Sequence, residues 1–303
     1  MATTRRMLLT GFAAAASVPL GGGLGPSKAY AGTSYPIDPG YSNTDLYRDL
    51  AEKGAGYGEG YDYARRYKRH EMSDDGPGTG LPYALTTVLA IHGGQIEPGT
   101  SEVCLGIAGY VPQATGELQP KEPGAPRYDY WMFEGLKFKN NSELHVTSSL
   151  CDDPVALSMA YASHNILSVH GCQWDQAVPD EWRKYPERHP DKRLVVVGGR
   201  NAAFKARLKT QLDKLGITVL DGPERLNGDE ETNICNRTFR PFDESAPTGG
   251  AQLEMTWELR ASLFGDTSAP GARSRSTNDE FTAFVNACRT AIADQERTQR
   301  KAW

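Results

Sequence analysis

The sequence predicts an α/β protein in which a single mixed sheet is flanked by helices. From residue 85 onward, short apolar runs rich in β-prone residues alternate with segments of helical periodicity. Two of the apolar runs end on the same dipeptide, at His92-Gly93 and at His170-Gly171. Parallel strands place their carboxyl ends at one edge of a sheet, which is where such folds build their sites. With 303 residues, of which 39% are hydrophobic, the chain suffices for one sizeable core.

The predicted domain covers residues 81–303, and its elements follow from local patterns. Strands are expected in the apolar or alternating runs at residues 85–91, 128–133, 144–149, 165–169, 193–198, 217–220 and 252–260. Helices are expected after Pro98, after the capping residue Asp153, and over residues 201–215, where Gly216 provides the C-terminal stop. A capping box at residues 277–280 predicts the start of a C-terminal helix.

The first 31 residues have the pattern of an export signal. Arg5 and Arg6 precede an apolar, alanine-rich run that is too short to span a bilayer, and Ala29-Tyr-Ala31 is a small-x-small cleavage site. We therefore expect residues 1–31 to be a twin-arginine signal peptide and the mature protein to be secreted, without stable membrane association. Residues 32–80 are expected to form a lead segment that packs on the surface, mostly as loop, with a short helix near Asp45.

The net charge of the mature chain limits which classes of partner it can bind. Three of the 33 basic residues lie in the predicted signal, so 30 basic residues face 38 acidic ones, a net charge near −8. This balance argues against general nucleic-acid binding, which requires a basic surface. A polyanionic substrate would need a locally positive cleft, which the net charge does not exclude.

The run that ends on His92 predicts a metal site. Two glycines follow, then Glu97 and Pro98-Gly99, so a strand delivers a histidine and a carboxylate into a tight turn. Both side chains are good ligands for a borderline metal such as zinc. Their separation differs from the helical pair of an H-E-x-x-H site. The alternative interpretation is an ordinary strand-to-helix turn with a surface glutamate.

The second His-Gly strand end favours the metal interpretation. His92, Glu97 and His170 form a set of two histidines and one carboxylate, which leaves a zinc coordination position open, as catalytic sites do. His145 is the rival third ligand. Because it lies inside the predicted strand 144–149, we expect it to contact substrate, to support the ligands or to pack structurally, rather than to bind metal.

The segment from His92 to Glu102 resembles the signature of the phage-type poly-γ-glutamate hydrolase family, whose fold is similar to that of zinc carboxypeptidases. Further blocks similar to the family follow in the expected order, within about residues 80–265. These blocks are Phe133-Glu-Gly135, Leu144-His-Val-Thr-Ser148, Ser168-Val-His-Gly171, Val197-Gly-Gly199, Asn233-Ile-Cys-Asn-Arg237 and Gln252-Leu-Glu254, followed by Arg260.

The resemblance implies roles for residues late in the chain. The Gln-Leu-Glu match implies that Glu254 is the general base that takes a proton from zinc-bound water, with Glu258 as the rival. Arg237 and Arg260 suit two tasks, gripping a substrate carboxylate and stabilising an oxyanion, and the sequence does not assign them individually. Asn236 belongs to the same block as Arg237 and is a candidate substrate contact.

These observations predict an exported hydrolase with one zinc ion per chain, which cleaves the γ-glutamyl amide bonds of poly-γ-glutamate. Two alternatives stay open. One is a zinc amidase or peptidase that acts on γ-glutamyl links in cell-wall peptides. The other is a polymer-binding protein without catalysis. The absence of a Gly-x-Ser-x-Gly segment disfavours a serine hydrolase.

Overall fold

A computed structural model describes residues 40–69, 85–122, 124–239 and 249–300. The predicted signal peptide lies outside these ranges. Among the helices of the described residues, none combines the length and the hydropathy that a bilayer crossing requires.

Within the described residues, seven strands form one mixed sheet, which confirms the predicted α/β class. The strands are β1 (Tyr63–Lys68), β2 (Thr86–Gly94), β3 (Asp129–Gly135), β4 (Asn165–Cys172), β5 (Leu194–Gly198), β6 (Thr218–Asp221) and β7 (Ala251–Thr256). Their order across the sheet is β1-β3-β2-β4-β7-β5-β6. The four central strands β3, β2, β4 and β7 are parallel, while β1 and β5 pair with them in the antiparallel sense. Consequently β2, β4 and β7 end at the same edge.

Helices cover both faces of the sheet. They are α1 (Asn43–Glu52), α2 (Thr100–Ala108), α3 (Pro154–Tyr161), α4 (Trp174–Ala177), α5 (Asp180–Lys184), α6 (Ala202–Leu212), α7 (Trp257–Ser262), α8 (Pro270–Arg275) and α9 (Asp279–Arg300). On one face, α2, α6 and α9 pack over Val88, Leu167 and Leu253. On the other face, α1 and α3 pack over Leu89 and Trp131. Strands buried on both sides explain the near-continuous apolar runs of the sequence.

Several predicted elements agree with the structure because their signals are local. Helix α2 begins after Pro98-Gly99, and Asp153 caps α3 by accepting from the amides of Val155 and Ala156, both at 2.9 Å. In α6 the predicted apolar face is buried, and Gly216 ends the segment in the left-handed conformation with φ of 71°.

Other predictions were wrong. Residues 144–149 do not form a strand but belong to two 3₁₀ turns, Asn141–Leu144 and Ser148–Leu150, and the loop between them. The predicted strand 252–260 ends at Thr256, whose hydroxyl accepts from the Leu259 amide and caps α7. The C-terminal helix begins inside the predicted capping box, at Asp279, but its cap is Asn278, which accepts from the Phe281 amide, and not Thr277.

The lead segment is more than a surface loop. Its residues 63–68 form β1, which extends the sheet along β3. The ring of Tyr63 contacts both Tyr47 of α1 and Phe133 of β3, with centroids 5.0 and 4.8 Å away. The first helix and the edge strand are thereby fastened to the sheet through aromatic contacts. The expectation of mostly loop after Gly54 is therefore wrong at this strand.

Candidate metal centre

The turn after β2 brings His92 and Glu97 together. The amide of Glu97 donates to the carbonyl of His92 at 2.9 Å, which closes the turn. Gly94 adopts a φ of 66°, and a Cβ atom there would lie 2.5 Å from the Gly135 carbonyl oxygen on β3. Glycine is therefore required at this position both by the backbone conformation and by the close approach of a neighbouring strand.

Nitrogen and oxygen donors converge at this turn. The Nδ1 atom of His92 lies 2.9 Å from Oε1 of Glu97 and 3.2 Å from Nδ1 of His170. The same His170 nitrogen lies 3.9 Å from Oε2 of Glu97. The ring of His145 stacks on His92 with a centroid distance of 3.8 Å, and its Nε2 atom lies 3.8 Å from Oε1 of Glu97. The site therefore holds one carboxylate and three imidazoles.

This donor set fits a metal cation. The Nε2 atom of His92 lies 2.8 Å from the Val146 carbonyl oxygen, which only accepts, so Nε2 carries the proton. The lone pair on Nδ1 then faces a carboxylate oxygen and another imidazole nitrogen. Three lone pairs so close repel one another unless a proton or a cation lies among them. Imidazole nitrogen and carboxylate oxygen are the donors of catalytic zinc sites.

A proton can take the place of the cation: burial lowers the pKa of His92, but the Glu97 charge and hydrogen bond outweigh it and raise this pKa. Burial lowers the pKa of His145 to about 3, and burial together with the His92 charge lowers that of His170 to about 4. Both rings are therefore neutral at pH 7 and offer a lone pair. Burial alone would raise the pKa of Glu97, but the His92 charge and hydrogen bond hold it at about 2. The site thus presents an ionised carboxylate among imidazoles.

The three predicted ligands meet in space, and the structure adds His145 to the possible set. One donor atom each from His92, Glu97 and His145 lie within 4.8 Å of one another. His145 reaches the site from the loop between the two 3₁₀ turns, which the strand prediction did not allow. Its side chain is 24% exposed, compared with 2% for His170, so His145 is the histidine on the open side.

Two further groups orient the donors. The Ser168 hydroxyl lies 2.8 Å from Nε2 of His170, which leaves Nδ1 directed at His92 and Glu97. The amide of Gly171 donates to Oε2 of Glu97 at 2.7 Å. Such contacts fix ring and carboxylate orientation in metal sites. Sequence reasoning did not single out Ser168, although its position two residues before His170 places both side chains on one face of β4.

Glu254 lies opposite His170 in the register of β7 and β4. Its Oε1 atom accepts a 2.8 Å hydrogen bond from Gln252, whose own amide oxygen accepts from Asn233 at 3.1 Å. Burial, and then the charge of Glu97, raise the pKa of Glu254 well above its ordinary value. The carboxyl group is thus held in place beside the donor cluster and retains a proton more readily than a surface glutamate.

The rival base Glu258 lies in the first turn of α7. It is half-buried, and its Oε2 atom makes no hydrogen bond within the described part of the chain. The two candidate bases therefore differ in environment, since Glu254 is held by a chain of amides and Glu258 is not.

The other predicted substrate contacts are largely occupied by the fold. Both amide protons of Asn236 donate to carbonyls, of Gly228 at 2.7 Å and Glu230 at 2.8 Å. Arg237 donates to three backbone carbonyls, those of Thr232, Ser149 and Cys151. It stays half-buried, and two of its five N–H groups are not used by these bonds.

Arg260 is fully buried, with 1% of its surface exposed. Its Nε and Nη1 atoms donate to the carbonyls of Met255 and Pro98, at 3.2 and 2.7 Å. The structure therefore places this guanidinium beneath the site rather than in an open cleft.

A mixed α/β sheet whose strand ends gather histidines and a glutamate defines a protein with a candidate metal centre. Within that class the chain belongs to the poly-gamma-glutamate hydrolase family, whose sequence model matches residues 82–287. Protein YndL of Bacillus subtilis (strain 168) is 33% identical over 212 residues, which cover 68% of this chain and 66% of YndL. The alignment thus spans just under two thirds of that relative.

Two solved structures share the fold. A bacteriophage poly-gamma-glutamate hydrolase superposes with a TM-score of 0.60 at 22% identity, over 83% of this chain and 97% of its own. The zinc-free form of YndL superposes with a TM-score of 0.57 at 26% identity, over 82% and 96% of the two chains. Each similarity covers a larger share of this chain than residues 82–287 do.

Proposed function

We propose that this chain is an exported, zinc-dependent hydrolase that cleaves the γ-glutamyl amide bonds of poly-γ-glutamate. The observation that carries the proposal is the convergence of His92, Glu97, His145 and His170 beside Glu254 in a member of this family. One structural relative is a poly-gamma-glutamate hydrolase, which supports the proposed substrate. The other, YndL, was solved in a zinc-free form, which supports zinc as the proposed metal. The proposal of export rests on the Arg5-Arg6 pattern.

The residues that would hold zinc are His92, Glu97 and His170, with His145 as a further donor on the open side. When bound, zinc supplies a Lewis acid that acidifies water and polarises a carbonyl group. Ser168 keeps the Nδ1 atom of His170 directed at His92 and Glu97, and the Gly171 amide keeps the Glu97 carboxylate in place. These contacts give the ligands their orientation before any metal arrives.

Glu254 would move the proton. Gln252 engages its Oε1 atom, which leaves Oε2 to take a proton from the attacking water. The water oxygen forms a bond to the amide carbon, the carbon–nitrogen bond breaks, and the proton passes from Glu254 to the departing amine. Burial favours the protonated carboxyl group, which suits holding the proton between the two steps, and a cation bound beside it would favour the carboxylate that first takes the proton.

The substrate has a free carboxylate on every glutamyl unit, so a cation must lie near the scissile bond. Arg237 suits this role, because it is half-buried and retains N–H groups beyond its carbonyl contacts. Its contacts with the loop after His145 hold it on the same side of the sheet as that histidine. A guanidinium of this kind can bind a carboxylate with two parallel hydrogen bonds.

The test compares Glu254→Gln with the wild type and with Glu52→Gln. The second variant is a control that makes the same substitution at an exposed glutamate on α1. We expect the wild-type protein to contain one zinc ion per chain and to shorten purified poly-γ-glutamate. Glu254→Gln should lower kcat by about 10²–10⁴-fold with unchanged zinc content, because general bases contribute that much. Glu52→Gln should behave as the wild type.

Other outcomes would redirect the assignment. Turnover of Glu254→Gln near the wild-type value, with unchanged zinc, would contradict the role of Glu254, and Glu258→Gln would then be the variant to measure. Stoichiometric zinc without polymer shortening would move the substrate to cell-wall peptides. Neither zinc nor shortening would favour a polymer-binding protein.

A further inference from the structure

Arg260 is a buried cation that joins two parts of the metal centre. Its Nε atom donates to the carbonyl of Met255, the residue after Glu254 on β7. Its Nη1 atom donates to the carbonyl of Pro98, the residue after Glu97. One side chain thus connects the strand that carries the candidate base with the turn that carries the candidate carboxylate ligand. Burial of an arginine is costly unless its charge and its N–H groups are compensated.

The guanidinium also presses against the end of β4. A Cβ atom on Gly171 would lie 2.4 Å from Cζ of Arg260 and 2.6 Å from its Nε, closer than real contacts allow. Gly171 does not have a positive φ, so glycine is required here for the close approach of Arg260 and not for the backbone conformation. This contact gives a physical reason for the glycine of the second His-Gly pair.

Gly171 in turn connects Arg260 to the ligands. Its amide donates to Oε2 of Glu97, and it directly follows His170. The positive charge of Arg260 lies among the buried carboxylates of Glu97 and Glu254, so it also offsets their mutual repulsion.

We propose that Arg260 is a positioning residue that holds Glu97 and the His170–Gly171 strand end in the geometry needed for metal binding, and that it does not contact the substrate. The proposal rests on the proposed zinc site. It differs from a substrate-gripping role, because the guanidinium is buried and bound to two backbone carbonyls. An ammonium group cannot reproduce it, since lysine lacks the planar fork that reaches both carbonyls.

The test compares Arg260→Lys with the wild type and with Arg289→Lys. Arg289 is a matched control, because it too donates to two backbone carbonyls, those of Ile107 and Pro126, both at 2.7 Å and remote from the site on α9. Zinc affinity is measured by competition with a chromogenic chelator. We expect about 10–100-fold weaker zinc binding for Arg260→Lys, as for other residues that orient metal ligands, and less than about twofold change for Arg289→Lys.

Steady-state kinetics at saturating zinc give the second readout. A positioning role predicts a lower kcat with a KM for poly-γ-glutamate close to the wild-type value. A raised KM with unchanged zinc affinity would overturn the proposal and assign Arg260 to the substrate.

A third readout does not depend on zinc. In the metal-free protein, hydrogen exchange of the Gly171 amide reports the bond to Glu97 directly. We expect it to accelerate about tenfold or more in Arg260→Lys but not in Arg289→Lys. Unchanged exchange would overturn the proposal. If the wild type bound no zinc, the proposed function would fail, while the exchange measurement would still decide the role of Arg260.

Discussion

The ion pair between Glu102 and Arg273 offers a quantitative test of how the turn after β2 is supported. Arg273 Nε lies 3.0 Å from Oε1 of Glu102, and both side chains are almost completely buried. The other guanidinium nitrogens donate to the Gln95 side chain at 3.0 Å and to the Gly94 carbonyl at 2.9 Å. The substitution Arg273→Met removes all of these contacts but keeps much of the apolar volume.

The expected loss of stability is large. The variant leaves the Glu102 carboxylate buried without a cation, and breaking such a pair costs about 3–5 kcal/mol. For a chain of this size, the same loss corresponds to a fall in Tm of roughly 6–20 °C. The double variant Glu102→Met with Arg273→Met should lose less unfolding free energy than Arg273→Met alone, because no uncompensated charge is left in the interior.

The loss should depend on pH in a defined direction. Burial raises the pKa of Glu102 above its ordinary value even though Arg273 opposes this shift. Without Arg273 the pKa in the folded state rises further, so the folded protein binds a proton more tightly than the unfolded chain. The free energy of unfolding of the variant then increases as the pH falls from above that raised pKa toward the ordinary value of 4.5. The difference from the wild type should be greatest at pH 8 and smaller at pH 5.

Urea unfolding followed by tryptophan fluorescence at pH 8, 7, 6 and 5 measures these differences. Arg289→Met is the matched control, because Arg289 donates to two neutral carbonyls and forms no ion pair within the described residues. The loss of unfolding free energy in Arg289→Met should be smaller than that in Arg273→Met and independent of pH. The reasoning is refuted if Arg273→Met costs less than about 1 kcal/mol at pH 7, or if its cost is the same at pH 5 and pH 8.

Two further substitutions test the site and the core. Ser168→Ala removes the hydroxyl that lies against Nε2 of His170, and we expect zinc binding to weaken about tenfold in chelator competition. Ser163→Ala is its control, a buried serine paired with Thr87 instead, and an equal effect in both would contradict an orienting role for Ser168. Phe204→Ala empties a fully buried position under the sheet and should lower the free energy of unfolding by about 3–5 kcal/mol in urea titrations. Phe138→Ala, at a side chain that is 95% exposed, should change it by less than about 0.5 kcal/mol, and similar losses in the two variants would contradict the assigned core.

The elements that agree with sequence reasoning are those whose signal lies in adjacent residues. The apolar run of β4, the buried face of α6 and the cap at Asp153 depend on local periodicity and on local hydrogen bonds. β1 lacked such a signal, because an edge strand is partly exposed and its sequence is rich in arginine and lysine.

Tertiary contacts overrode local propensity at two places near the site. Valine prefers strands, yet the carbonyl of Val146 accepts a hydrogen bond from the His92 ring instead of from a neighbouring strand. The chain on both sides of Val146 forms 3₁₀ turns. Alternation continued past Thr256, but the threonine hydroxyl accepts a helix amide there and ends β7. Neither partner can be identified from the residues next to it.

The sequence by itself determined the α/β class, the turn that joins His92 to Glu97, and the arrival of His170 at the end of a parallel strand. These features depend on hydrophobic periodicity and on the conformational freedom of glycine, which are properties of short segments. Only the tertiary structure decided that His145 stacks on His92, that Ser168 and Gln252 orient the groups beside them, and that Arg260 is buried against Gly171. These contacts depend on the register and packing of elements far apart in the chain, so the energy that selects them arises only when the sheet assembles.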